Sequence, residues 1–160
     1  MVYVPLPPAQ ARALRAGESL DLLRGHAATP SLRRELAVAE DDEEGDFAAL
    51  NAAGVAALSE LGDLSEPGGT RRLVLAAEVD ASQVVDAQGA WGEVQVLGLT
   101  WPQVQSLFAD EEAAGPAVRA AARDAAGLEP RQAYDLPAVL ALTDSYDLLW
   151  FGPAELDDLS

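Results

Sequence analysis

The sequence predicts an α+β fold, a single domain over residues 1–160 with helices packed on a mixed or antiparallel sheet of about four to six strands. Three observations lead there. The stretch Arg72-Leu73-Val74-Leu75-Ala76-Ala77-Glu78-Val79-Asp80 places Leu73, Leu75, Ala77 and Val79 on one face of an extended segment and Val74 and Ala76 on the other. A strand that is apolar on both faces belongs inside a sheet. Before it, Phe47, Leu50, Gly54, Leu58 and Leu61 recur at the three- and four-residue spacing of a helix, whose stripe should lie on that strand. After it, strand-like and helix-like patches alternate, with no repeat period and no low-complexity linker to divide the chain.

Val2-Tyr3-Val4 is β-prone and closed by Pro5, which makes an opening strand. Pro7-Pro8 starts a helix to about Ala16, stopped by Gly17. Leu20 to Leu23 is too short to assign, and Gly25-His26-Ala27-Ala28 forms a brief strand. Thr29 as N-cap with Pro30 in the first turn starts a helix to about Ala39. The acidic run Glu40 to Asp46 ends it, and its last acids suit the N-terminus of the helix bearing Phe47. Gly62 and then Ser65-Glu66-Pro67-Gly68-Gly69-Thr70 link that helix to the central strand.

Beyond Asp80, Ala81 to Val85 reads as one helical turn and Asp86 to Gly92 as a loop. Val94 and Val96 then alternate with Glu93 and Gln95, as in a half-buried strand. Thr100-Trp101-Pro102 opens a turn, and Ser106-Leu107-Phe108-Ala109 returns as a strand. Gly115-Pro116 starts an Ala-rich helix that ends at Gly127, and Leu136-Pro137 starts another to about Leu142. Tyr146 to Phe151 is the final strand, and residues 153–160 form an acidic helical tail.

Hydrophobic residues make up 49% of the chain and charged residues 23%, the balance of a chain able to build a core. With no Cys there is no thiolate nucleophile, disulfide or cysteine metal site. All ten basic residues are Arg, which removes a P-loop Lys and a Schiff-base Lys. No apolar run approaches the ~20 residues of a membrane span, and the first residues lack the charged and apolar regions of a secretory signal, so the expected location is the cytoplasm. A net charge of −17 opposes direct binding to nucleic acid or anionic membrane. It suits either a soluble surface or a partner protein presenting basic groups.

The segments Val2-Tyr3-Val4-Pro5, Ala28-Thr29-Pro30-Ser31-Leu32-Arg33-Arg34-Glu35, Asp42-Glu43-Glu44-Gly45-Asp46-Phe47-Ala48-Ala49, Leu73-Val74-Leu75-Ala76-Ala77-Glu78-Val79 and Asp147-Leu148-Leu149-Trp150-Phe151 together resemble a small family of uncharacterised actinobacterial proteins. The similarity covers most of the chain. It implies no activity, cofactor or catalytic residue.

His26 is the catalytic candidate, because imidazole alone among the side chains here exchanges protons near neutral pH without help. No Gly-x-Ser-x-Gly elbow or similar local signature supplies it with a nucleophile, so a structural role is the competing reading. The acidic run offers oxygen ligands for a divalent cation, but an EF-hand begun at Asp42 puts Phe47 at the required Gly and Ala53 at the required Glu. Neither a metal site nor a cofactor is expected. Tyr3, Trp101 and Trp150 are the candidates for a binding surface, with core packing as the alternative use of aromatic rings. Arg33, beside the helix start at Thr29-Pro30, is the candidate for anion contact, with local charge balance as the alternative. The function expected is a non-catalytic interaction or regulatory domain for a basic protein partner. Its rival is a small hydrolase or transferase in which folding gathers Asp or Glu around His26.

Overall fold

The computed structural model describes residues 1–37, 43–61, 71–85 and 89–159. Strands β1 (Val2–Pro5), β2 (Leu20–His26), β3 (Leu73–Ala77), β4 (Val84–Val85), β5 (Glu93–Leu99), β6 (Val104–Ala109) and β7 (Leu149–Phe151) form one open antiparallel sheet in the order β4-β5-β2-β1-β3-β6-β7. Seven strands exceed the expected four to six, and β4 is the addition. A short 3₁₀ turn occupies Ala81–Gln83, and the chain then extends through Val84–Val85 beside β5, where the sequence suggested continued helix.

β2 is also longer than the expected Gly25 to Ala28. It pairs with β5 from Leu20↔Leu99 to His26↔Glu93, so a non-local partner makes a strand of residues whose own pattern is weak. β3 has all five residues buried between β1 and β6, as a strand apolar on both faces requires. Its entry is fixed by Arg72, which meets Asp110 beyond the end of β6 in a buried bidentate ion pair with contacts of 2.7 and 2.9 Å.

The helices are α1 (Pro8–Arg15), α2 (Pro30–Leu36), α3 (Glu43–Ala56), α4 (Gly115–Ala125), α5 (Pro130–Ala133) and α6 (Pro137–Ser145). Thr29 caps α2 as its position predicts, its hydroxyl accepting from the Leu32 N–H at 3.1 Å. On one side of the sheet, Val4, Leu75, Val96 and Leu107 pack with Ala11 and Leu14 of α1 and with Leu156 and Leu159. The last two belong to a 3₁₀ segment, Pro153–Leu159, so the expected acidic tail also plugs the main core while its acids stay exposed. On the other side, Ala53 and Ala57 pack on Val74, with Tyr3, Leu50, Phe108 and Leu148 around them. A further cluster joins Val55 and Leu58 to Val118 and Ala122 of α4 and Val139 and Leu142 of α6.

α3 lies on the sheet as expected, and most of the expected stripe turns inward: Gly54 and Leu58 are buried, Leu50 and Leu61 pack partly buried against the clusters, and Phe47 alone departs from it. Its buried residues are Ala49, Ala52, Ala53, Gly54, Val55 and Ala56, with Gly45 nearer its start, whereas Phe47 is 62% exposed. The small residues bring the helix close enough that a Cβ on Gly54 would lie 3.1 Å from a Leu148 methyl. Phe47, seven residues nearer the start of α3, lies away from that contact and stays exposed.

Candidate functional site

The outward side of α3 and the neighbouring α2 enclose a groove of about 400 Å³, lined by Leu32, Glu35, Leu36, Phe47, Ala48, Asn51, Ala52, Trp91 and Tyr134. Leu36, Phe47 and Tyr134 are 43%, 62% and 36% exposed, large apolar side chains gathered in one place. Trp91 and Tyr134 close one end, their rings edge to face with centroids 4.6 Å apart. Trp91 comes from the short turn Ala90–Gly92 ahead of β5 and has φ 62°, ψ 28°, left-handed backbone that a bulky residue rarely adopts. Two contacts hold it there. The Ala27 N–H donates to the Gly92 carbonyl at 2.9 Å, and His26 Nδ1 lies 3.2 Å from the Trp91 carbonyl oxygen.

His26 ends β2 and is 1% exposed. A carbonyl only accepts, so the contact with Trp91 places the proton on Nδ1 of the neutral ring and leaves Nε2 as an acceptor. Nε2 is buried and has no hydrogen-bond partner among the described residues. Burial pushes the imidazole pKa below its ordinary value, outweighing the opposing pull of the Trp91 carbonyl and the Glu93 carboxylate, and Arg24 adds to the lowering. The neutral form is therefore the native one at physiological pH. His26 lines a second cavity, of about 200 Å³, with Ala90, Trp91, Glu93, Glu129, Pro130 and Arg131. Trp91 is thus the wall common to groove and cleft. Glu129 caps α5 through a reciprocal pair of hydrogen bonds with Gln132. Arg24 reaches Glu93 at 3.3 Å and Glu129 at 3.5 Å, all three partly exposed.

The binding candidates taken from sequence do not converge on either cavity. Tyr3 is paired with His26 across β1 and β2 but packs inward, its ring 6.4 Å from Phe108, and burial followed by the nearby Asp46 raises its phenol pKa. Trp101 starts the 3₁₀ turn Trp101–Gln103 and packs, half-buried, on the main core. Trp150 is 63% exposed on β7, the sheet edge opposite β4. Arg33 is half-buried on α2, with Nε buried and without a hydrogen-bond partner among the described residues. His26 alone lines a cleft, and the group bonded to it is a backbone carbonyl in place of the carboxylate that catalysis would use. The site residues that sequence reading missed include Leu36, Trp91 and Tyr134, then Phe47, which it assigned to the buried stripe, and Glu93 and Glu129 of the cleft. The signal for Trp91 was its place in Gly89-Ala90-Trp91-Gly92, where φ of 74° at Gly92 and a Cβ that would strike the Ala27 carbonyl make glycine obligatory.

Among the described residues, no group of three or more His, Asp or Glu is placed to hold a metal ion. Glu40, Asp41 and Asp42 of the acidic run lie outside the described residues, and Glu43, Glu44 and Asp46 form the first turn of α3. No described helix is long and apolar enough to cross a membrane.

Helices on both sides of an antiparallel sheet, with an aromatic groove between two of them, define an α+β protein with a concave apolar surface. The chain belongs to a family of unknown function, DUF6912, whose model matches residues 1–160. No curated protein and no solved structure matches it.

Proposed function

We propose that this protein is a non-catalytic binding module that accepts an apolar segment of a partner protein in the groove between α2 and α3, with basic residues flanking that segment. The observation that carries the reading is Phe47, which stands 62% exposed beside Leu36, Trp91 and Tyr134 although a large aromatic side chain gains most by burial. Charge supports the basic flank. Glu35 lines the groove, Glu43, Glu44 and Asp46 begin α3, and the chain between the helices carries Glu40, Asp41 and Asp42. Arg33 and Arg34 offset only part of this, in a chain of net charge −17. Steering by such charge speeds encounter and fades as salt rises. The rival reading, acid–base catalysis by His26, has the cleft in its favour. Against it, among the described residues no nucleophile or carboxylate is hydrogen-bonded to the imidazole.

A displayed random-peptide selection against the native protein, with Phe47→Asp as the counter-target, tests the reading. A Phe side chain buries roughly 150–250 Å² when fully covered. With 62% of Phe47 exposed, about 120 Å² is available, worth up to about 3 kcal/mol at 25 cal/mol/Å² and less after binding costs. Phe47→Asp should therefore weaken a selected peptide by about one to two orders of magnitude without lowering the thermal midpoint. The peptides should share aliphatic or aromatic anchors beside Arg or Lys, and their amide-shift perturbations should fall on α2, α3 and Trp91. Acid-rich peptides, or perturbations centred on Trp150, would refute it.

A further inference from the structure

We infer that the cleft beside His26 is a binding site for an organic cation, the guanidinium or ammonium group of a free small molecule or of a basic side chain. Three features of the cleft select that chemistry. Among the described residues Nε2 of His26 is a buried acceptor without a donor, a costly state that a guest N–H relieves. Glu93 and Glu129 add carboxylate acceptors on the same lining. Arg24 already touches both, at 3.3 and 3.5 Å, but these long, partly exposed contacts leave lone pairs for a further donor. Trp91 forms another part of the wall, and an indole attracts a cation to its face. A guest with several N–H donors and a positive charge answers His26, Glu93, Glu129 and Trp91, while an anion answers only Arg131 and Arg24, and Arg24 opposes a cationic guest. Arg131, exposed on the lining, opposes the same guest.

Trp91 stands beside the imidazole, its carbonyl oxygen 3.2 Å from Nδ1. The residue is half-buried and lines both cleft and groove, and its backbone sits at φ 62°, strain of the kind that marks functional positions. A guest meets His26 from the cleft that it lines. The site does not require the groove to be filled.

His26 is the sole histidine, so ¹⁵N-labelled imidazole gives one spin system on the intact protein. In the free protein at neutral pH, Nε2 should report as unprotonated. Titration with ethylguanidinium should shift it saturably, whereas tetramethylammonium, a cation with no N–H donor, should not. Glu93→Gln should weaken the response severalfold, and Arg131→Ala should strengthen it. The peptide Ac-Leu-Phe-Gly-Arg-amide separates the two sources. Tighter binding than ethylguanidinium, with the excess lost in Phe47→Asp, assigns the cation to a partner's side chain. Equal binding of the two assigns it to a free small molecule. A proton on Nε2 in the free protein, an equal response to tetramethylammonium, or no saturable response to either guanidinium probe overturns the inference. The first measurement needs no variant. Failure of the groove reading would appear instead as peptide selections that ignore Phe47.

Discussion

Removing the carboxylate of Asp110 separates the effect of burial from the effect of contact distance. The register Leu73↔Ala109 sets Arg72 and Asp110 side by side at the end of the β3–β6 pair. Asp110 accepts from Arg72 Nε at 2.9 Å, Nη2 at 2.7 Å and the backbone N–H at 2.9 Å. The two side chains are 3% and 0% exposed. Asp110→Ala leaves a buried guanidinium and a backbone N–H without their acceptor, and breaking a buried pair in this way costs on the order of 3–5 kcal/mol. In a domain stable by about 5–15 kcal/mol that is a large share, and at about 2–4 °C per kcal/mol it lowers the melting midpoint by roughly 6–20 °C. Guanidinium denaturation of the native chain, Asp110→Ala, Arg72→Met and the double variant forms the assay. The double variant should lose less than the sum of the singles, because apolar residues of similar volume replace a pair without stranding a charge. Asp157, which Arg15 contacts at 2.8 Å, is the control. At 70% exposure its replacement by Ala should leave the midpoint nearly unchanged. A loss under about 1 kcal/mol for Asp110→Ala, or equal losses at the two sites, would refute the reasoning.

Further expectations concern the core, the turn under Trp91 and the response to pH. Leu75→Ala, at a fully buried position on β3, should cost about 2–5 kcal/mol in chemical denaturation, and Leu50→Ala, half-buried on α3, should cost less. Gly92→Ala should destabilise by on the order of 1–3 kcal/mol, since its φ of 74° and the Ala27 carbonyl both resist a Cβ; an unchanged melting midpoint would show that the turn yields freely. Because burial lowers the His26 pKa, the unfolded chain takes up its proton first as pH falls through about 6.5. Stability should therefore be full above that pH and decline below it, levelling once the folded pKa is passed. His26→Asn should flatten this slope between about pH 7.5 and 5.5, above the range where carboxylates titrate.

Much of the fold was written locally. The two-faced apolar run at Leu73 to Ala77, the Thr29-Pro30 start of α2, the Pro-led α1, α4 and α6, and the alternation around Val94 and Val96 depend on spacing, capping and backbone restriction within a few residues. Composition likewise determined which chemistries are missing, since no fold can supply a thiolate or a lysine that the chain lacks. Tertiary structure decided the rest. β2 and β4 exist because β5 lies beside them, and the hydrogen bonds that stabilise a strand are made by its partner. The exposure of Phe47 was settled by which part of α3 its neighbours cover, Ala49 and Ala52 to Ala56 being buried while Phe47 is not. The groove draws Leu36, Phe47, Trp91 and Tyr134 from four separate stretches, and the cleft joins His26 to Glu93 and Glu129. A site assembled from distant segments leaves no spacing to read, because burial, charge pairing and shared walls arise only when the chain has closed on itself.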